Sequence, residues 1–345
     1  MLKSSFKKYQ QTFKLPVLTS RGVMKVKNGY YLFLSDGKQT GVGECSFIEG
    51  LSIDDLSPYE NMLQEVCNYC ATGDKSQMPD LEHFPSIRFG YETALLDLSQ
   101  GGKMVLFEGD FTKGAKQIPI NGLVWMGKRD FMLRQIGEKL EAGFRCIKIK
   151  VGAINFEEEI MLLDFIRSKF PSDLIEIRLD ANGSFNQKDV FKKLERLAHF
   201  DIHSIEQPVK QGQIKLMQEV CKNSPILIAL DEELIGIADS EMKDLLCEIN
   251  PSYIILKPSL LGGFERCNHW IELAKEQNIG WWATSALESN IGLNAIAQWV
   301  FGYNNPLAQG LGTGGLYTKN VASPLFIENG CLGYNPTKVW GKLEL

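Results

Sequence analysis

Ile147-Lys148-Ile149-Lys150-Val151-Gly152 is the first of five short apolar segments that each place a charged side chain where a strand would end. Arg178-Leu179-Asp180-Ala181-Asn182, Ser204-Ile205-Glu206-Gln207-Pro208, Ile228-Ala229-Leu230-Asp231-Glu232 and Ile254-Ile255-Leu256-Lys257-Pro258 follow it. The spacing is nearly constant: 30 residues from Lys150 to Asp180, 26 on to Glu206, 25 to Asp231 and 26 to Lys257. One strand and one helical stretch per such period is the rhythm of a parallel β/α barrel, whose functional groups sit at the carboxyl ends of its strands. Along those ends the charges read lysine, three acids, lysine.

Working outward, the same rhythm predicts a first strand over 118–124, a seventh over 280–285 and an eighth over 307–313. Amphipathic helices such as 156–168, 187–199 and 264–277 lie between strands. The first 110 residues do not follow it. There, strands over 29–34 and 40–44 flank the turn Ser35-Asp36-Gly37-Lys38, and helices are expected over 54–69 and 87–98, the second burying Tyr91, Ala94, Leu95 and Leu98. The reading is an α/β chain with an α+β domain over 1–112, a barrel over 113–320 and a C-terminal return over 321–345 that packs on the first domain. Gly101-Gly102 and the polar stretch 113–117 supply the linker.

The 37 basic and 42 acidic residues give a net charge of −5 without a basic block, which argues against nucleic acid. Lys3, Lys7 and Lys8 precede no apolar core, so a secretory signal is not expected, and no apolar run reaches the roughly 18 residues of a membrane span. Of eight cysteines only Cys67 and Cys70 form a CxxC, without a second pair or nearby histidines to complete a zinc site, and their spacing suits one turn of an ordinary helix. Free thiols and no signal point to the cytoplasm. Nothing marks an obligate protein partner. The partner expected is a small-molecule carboxylate.

Lys148 and Lys150 lie two apart and face the same way; in a closed barrel, with Ile147, Ile149 and Val151 against the helices, both point inward. Asp180, Glu206 and Asp231 would crowd negative charge onto three adjacent strands, at a cost of several kcal/mol without a counter-ion. Asp231 could alternatively cap a helix. A hard divalent cation resolves the crowding, and an all-oxygen donor set favours Mg²⁺, with Mn²⁺ as the alternative. Lys150 and Lys257 end strands four apart in a ring of eight, so they face each other across the barrel mouth. A carboxylate held at the metal would present its α-carbon between two amines, which suits proton abstraction by a lysine whose pKa is lowered by the cation and the other lysine.

The KxK of Lys148-Ile149-Lys150, the DxN of Asp180-Ala181-Asn182, Glu206-Gln207-Pro208, Asp231-Glu232 and Lys257-Pro258 match, in order and spacing, the muconate-lactonizing subgroup of the enolase superfamily, which the chain resembles over nearly its whole length. The resemblance implies a (β/α)₇β modified TIM barrel under an N-terminal capping domain, with Asp180, Glu206 and Asp231 as metal ligands and Lys150 and Lys257 as the catalytic pair. Within the subgroup, the segment from Gly41 to Ser52 is similar to the capping loop of the o-succinylbenzoate synthases, although Phe47-Ile48-Glu49-Gly50 stands where they usually carry Pro-Leu-Pro-Gly. Arg178 fits a synthase arginine beside the metal.

This resemblance implies a step of menaquinone biosynthesis, the syn-dehydration of 2-succinyl-6-hydroxy-2,4-cyclohexadiene-1-carboxylate. Lys150 would remove the α-proton and protonate the leaving hydroxyl, with Lys257 opposite. Lys148, Arg178, Asn182, Thr284, Ser285, Gly312, Thr313 and Gly314 are the expected substrate-binding positions, the last three within the glycine-rich segment Gly310 to Gly315, with Asn290 nearby. Dipeptide epimerases of the subgroup carry an acidic motif after strand eight, which is missing here. None of His83, His199, His203 and His269 is placed as a second base, and His203 is expected within strand four in a structural role. The loop Thr19-Ser20-Arg21-Gly22 resembles the family's specificity loop. An N-acylamino acid racemase, or another cycloisomerase or epimerase of the subgroup, is the alternative. A catalytically silent barrel would require a lost ligand or lysine, and all five positions are filled.

Overall fold

The chain begins with a long antiparallel hairpin, β1 (Lys3–Thr19) and β2 (Gly22–Ser35), to which β3 (Thr40–Cys45) adds a third strand. This is a computed structural model, and it describes every residue except Ser20, Arg21, Met126, Ala153, Glu344 and Leu345. The expected specificity loop therefore lies partly outside the described residues. The sequence reading missed β1. Its lysine and glutamine pairs blur the alternation of a half-buried strand, and its order comes from the ladder with β2 running from Lys3–Ser35 to Thr12–Val26.

Two helices, α1 (Tyr59–Thr72) and α2 (Pro85–Ser99), cover this sheet. The first starts at Tyr59 rather than at residue 54, directly after Pro58. Asp54 serves the other helix instead: its Oδ1 accepts from the Ser86 N–H at 3.1 Å and the Ser86 hydroxyl at 2.7 Å, in the first turn of α2. Sheet and helix meet closely, since a Cβ on Gly43 would sit 1.8 Å from the Gly90 carbonyl oxygen. Leu32, Leu34, Leu63, Ile87 and Ala94 form the core between them, joined by Cys67 and Cys70 as ordinary residues of α1.

β4 (Ile118–Pro119) and β5 (Gly122–Val124) divide what the sequence presents as one strand. Seven parallel strands then stand side by side in chain order: β5, β6 (Cys146–Lys150), β7 (Glu176–Asp180), β8 (Ile202–Glu206), β9 (Leu227–Leu230), β10 (Tyr253–Leu256) and β11 (Gly280–Ala283). The ring closes through only two residues, Gln309 and Gly310, which bridge Ile120 on one side and Thr284 on the other. The eighth strand is shorter than the expected 307–313 because Gly310, Gly312, Gly314 and Gly315 carry no side chain to pack on a sheet.

Outside the ring lie α3 (Arg129–Glu141), α4 (Phe156–Lys169), α5 (Val190–Ala198), α6 (Ile214–Asn223), α7 (Met242–Ile249), α8 (Pro258–Leu261), α9 (Phe264–Glu276) and α10 (Asn290–Phe301). The chain ends in a hairpin, β12 (Leu325–Glu328) and β13 (Cys331–Tyr334), whose second strand pairs antiparallel with β4. On the way there it crosses the cap, where the Thr318 N–H donates to the Thr12 carbonyl at 2.9 Å and Tyr317 packs on Phe13.

A buried acid fastens cap to barrel. Glu44 of β3 accepts from the backbone N–H groups of Ser289, at 2.7 Å, and Gly292, at 2.8 Å, at the start of α10. A carboxylate there satisfies donors that the helix cannot and meets the positive end of its dipole. Among the described residues no helix is long and apolar enough to cross a membrane.

Candidate active site

Register puts the charges on one level. Lys150 pairs with Asp180 across β6 and β7, and Asp180 with Glu206 across β7 and β8, so all three side chains point the same way into the barrel. Asp231 follows β9 and Lys257 follows β10. Asp231 occupies the residue before a short 3₁₀ turn, yet its side chain caps nothing and instead accepts a short hydrogen bond from Lys257.

Amines and carboxylates interleave. Lys148 Nζ lies 2.9 Å from Asp180 and 2.6 Å from Glu206. Lys150 Nζ lies 2.8 Å from Asp180 and donates to Asn182 Oδ1 at 2.6 Å. The Asn182 amide in turn donates to Glu232 at 3.0 Å. Gln207 supports the acids from behind, accepting from the Asp231 N–H at 3.2 Å and donating to Glu233 at 2.8 Å.

Burial sharpens every one of these interactions. Asp180, Glu206 and Asp231 are at most 2% exposed. Burial by itself would raise Asp180, but Lys148 and Lys150 outweigh it and hold its carboxyl well below the usual range. Burial and then repulsion from Asp180 push Glu206 well above it, despite Lys148. Glu232 is raised by burial and by Asp231. Burial would lower Lys257, yet Asp231 and Glu232 prevail and raise it.

Among the described residues no three acid, thiol or imidazole groups are gathered as metal ligands, because lysine amines stand between the carboxylates. The donor chemistry nevertheless fits a hard divalent cation. Asp180, Glu206 and Asp231 offer only oxygen, end or follow three neighbouring strands, and hold more negative charge than their depth tolerates.

A cavity of about 330 Å³ opens above these groups. Lys148, Lys150, Asp180, Asn182, Glu232 and Lys257 form its floor, while Glu206 and Asp231 stand behind the lysines and do not reach it. Its outer wall mixes apolar and charged groups: Leu15 and Met24 come from the cap hairpin, Ile48, Glu49 and Leu51 from the cap loop, Phe131, Arg134, Glu138 and Lys139 from α3, and Trp125 from the segment after β5. Gln135 fixes that segment by bonding both the N–H and the carbonyl of Trp125, each at 3.0 Å.

Several expected substrate contacts need correction. Arg178 does not line the cavity. Being two residues before Asp180, it sits one layer deeper, with its guanidinium 2.7 Å from Glu176, 2.8 Å from the Ala308 carbonyl and over the Trp282 ring. Gly314 also falls outside, packed against Asn290, whose own amide is tied to the Val321 carbonyl. Thr284, Ser285, Gly312 and Thr313 do line the cavity. The Ser285 hydroxyl, however, donates to buried Glu288 and accepts from Thr313 at 2.8 Å. His203 lies in β8, stacked on Tyr253. The sequence reading overlooked Glu288, Asn121 and Gln135; Glu288 alone left a signal, as an acid in an otherwise uncharged strand-to-helix turn.

A capped β/α barrel with this order of strand-end charges defines the class, and comparison with known proteins agrees. Residues 132–337 match the family model described as Enolase C-terminal domain-like, and residues 1–98 match MenC, N-terminal domain. The o-succinylbenzoate synthase of Desulfotalea psychrophila is 44% identical, over 95% of this chain and 98% of its own. The synthase of Thermosynechococcus vestitus is 26% identical over 74% of this chain and 75% of its own. The crystal structure of MenC from D. psychrophila superposes with a TM-score of 0.87 at 41% identity, covering 96% of this chain and 99% of that one. The chain belongs to the o-succinylbenzoate synthases of the enolase superfamily.

Proposed function

We propose that this chain is a carbon–oxygen lyase that dehydrates 2-succinyl-6-hydroxy-2,4-cyclohexadiene-1-carboxylate to o-succinylbenzoate in menaquinone biosynthesis, with Lys150 as base and acid and Lys257 opposite it. The observation that carries the residue assignment is the opposition of these two lysines, four strands apart in the ring and lining one cavity with the acids between them.

Asp180, Glu206 and Asp231 would hold a divalent cation, for which Mg²⁺ is the best fit, and it would supply positive charge for the ring carboxylate of the substrate. Lys150, as the free amine, takes the α-proton, and Asn182 with Glu232 keeps that amine aimed. Negative charge then moves onto the carboxylate oxygens, where the Lys257 ammonium faces it. The Lys150 ammonium returns its proton to the hydroxyl on the same face, the C–O bond breaks, and water leaves an aromatic ring. Lys150 is thereby restored to the amine. Leu15, Met24, Ile48, Leu51, Trp125 and Phe131 of the outer wall help to keep solvent from the proton in transit.

The test is turnover of the cyclohexadiene substrate followed as aromatic absorbance, with Mg²⁺ and with EDTA. Metal-dependent formation of o-succinylbenzoate is expected. If α-proton exchange on N-succinyl amino acids in D₂O appears instead, the substrate is misassigned and the site chemistry stands.

A further inference from the structure

A cation is buried in the cap at a position where the strand shows an aliphatic residue to solvent. Lys27 of β2 is 2% exposed, while its neighbour Val26 is 38% exposed. By the two-residue period Lys27 shares a face with Tyr31 and Phe33, which pack with Ile291 of α10. That face looks toward the barrel, so the lysine lies in the seam between the two domains. A charge at such depth requires partners for its protons, and they are present. Lys27 Nζ donates to the Ser46 hydroxyl at 2.7 Å, the Phe47 carbonyl at 2.5 Å and the Asn28 carbonyl at 3.4 Å.

Burial lowers the ammonium to about 8, against the pull of Glu44 on β3, Glu288 in the turn after β11, and Asp54 and Glu49. It therefore keeps its charge at neutral pH, and hydrogen bonds from a charged donor are about twice as strong as neutral ones.

The two acceptors outside its own strand open the cap loop 46–52. This loop contains no proline to fix its backbone. It closes on itself, with the Ile48 N–H on the Ser52 hydroxyl at 2.8 Å and the Leu51 N–H on the Ile48 carbonyl at 3.0 Å. Lys27 ties its start to the hairpin, and an exposed bond from the Asn28 amide to Glu49, at 3.1 Å, ties its middle. Ile48 and Leu51 of the loop line the cavity, as do Leu15 and Met24 of the hairpin, whereas Lys27 itself does not. One buried ammonium thus joins two parts of the cavity wall.

We infer that Lys27 is a positioning residue for substrate binding, holding the cap loop against the hairpin so that Ile48 and Leu51 stand ready over the cavity. The inference rests on the synthase reading, which makes this cavity the substrate site. A loop ordered in advance spares the ligand the entropic cost of ordering it.

The test measures o-succinylbenzoate binding by calorimetry with saturating Mg²⁺, well below the melting temperature. Lys27→Met should weaken the ligand by about tenfold, the cost of ordering two or three loop side chains on binding. Its Mg²⁺ affinity should be unaltered, and KM should rise while kcat does not fall. A glutamate-specific protease should cut after Glu49 faster in this variant, which reports the loop directly. Ser46→Ala leaves the ammonium on Phe47 and should show a smaller loss in the same direction. Should Lys27→Met fail to fold, Ser46→Ala decides, and unaltered ligand affinity there overturns the inference. A lower melting temperature of Lys27→Met with unaltered ligand affinity would overturn it too, leaving the lysine a role in stability alone. If the unaltered protein binds no o-succinylbenzoate, the synthase reading falls and the substrate role of Lys27 with it, whereas cleavage after Glu49 still tests its hold on the loop.

Discussion

The Lys148 ammonium lies 2.6 Å from the Glu206 carboxylate inside the barrel, where neither side chain is more than 7% exposed. It is also within 2.9 Å of Asp180, so two buried acids share one lysine. This arrangement and a bound cation answer the same electrostatic need, and four expectations follow from it and from the cap.

Lys148→Met removes the shared counter-ion. Uncompensated buried charge costs roughly 3–5 kcal/mol, so the variant should melt well below the unaltered protein without metal. Mg²⁺ should then raise its melting temperature more than it raises that of the unaltered protein, because the cation replaces the counter-ion that Glu206 and Asp180 shared, leaving Asp180 only Lys150. Equal metal-induced shifts in the two proteins would argue against a shared role for lysine and cation.

Lys150→Ala should lower kcat by about 10²–10⁴-fold or more, the usual worth of a positioned acid–base group, while Mg²⁺ affinity measured by calorimetry stays near normal. Asp180→Asn should do the reverse first, weakening Mg²⁺ binding itself. Full Mg²⁺ affinity in that variant would sink the ligand assignment.

Glu44→Gln tests the fastening of cap to barrel. The charge that meets the N-terminus of α10 is lost and one acceptor oxygen becomes a donor facing donors. A loss of about 1–3 kcal/mol is expected in denaturant unfolding, together with a raised KM if the cap loop shifts with β3.

Asp54 gives a pH signature away from the active site. Burial pushes its carboxyl up to about 7, against the hydrogen bonds from Ser86 that favour the anion. Its folded pKa lies above the unfolded one, so the folded chain binds the extra proton between about pH 4 and 7. The Asp54 contribution is therefore complete at low pH and is lost as pH rises through that window. Relative to Asp54→Asn, the unaltered protein should lose stability from pH 5 to 7.5. Parallel pH profiles would show that Asp54 is ionised throughout.

Much of this was legible along the chain. Apolar runs of four or five residues ending in a charge specify strands buried on both faces, and a constant period specifies parallel order, because both follow from local pattern. Lys150, Asp180 and Glu206 could thus be placed on one level before any coordinate was known. β1 was illegible because its partner, not its own alternation, orders it. The eighth strand was overread because its glycines tolerate any backbone, and of this stretch the ring bridges only Gln309 and Gly310 among the described residues.

The sequence by itself determined the class of fold, the order of the strand-end charges and the chemistry those charges can perform, since each depends on residue type and spacing. Tertiary structure alone decided the depth and company of each group. Arg178 and Asp180 differ by one step along β7, yet one stacks beneath Trp282 and the other faces the cavity. Ser285 and Thr284 are neighbours, yet only Thr284 keeps a free hydroxyl. Asn121 came to line the cavity, with its Oδ1 unpaired, only when the ring closed and set it across from the acids, because a hydrogen bond left unmade is a property of packing that no segment carries alone.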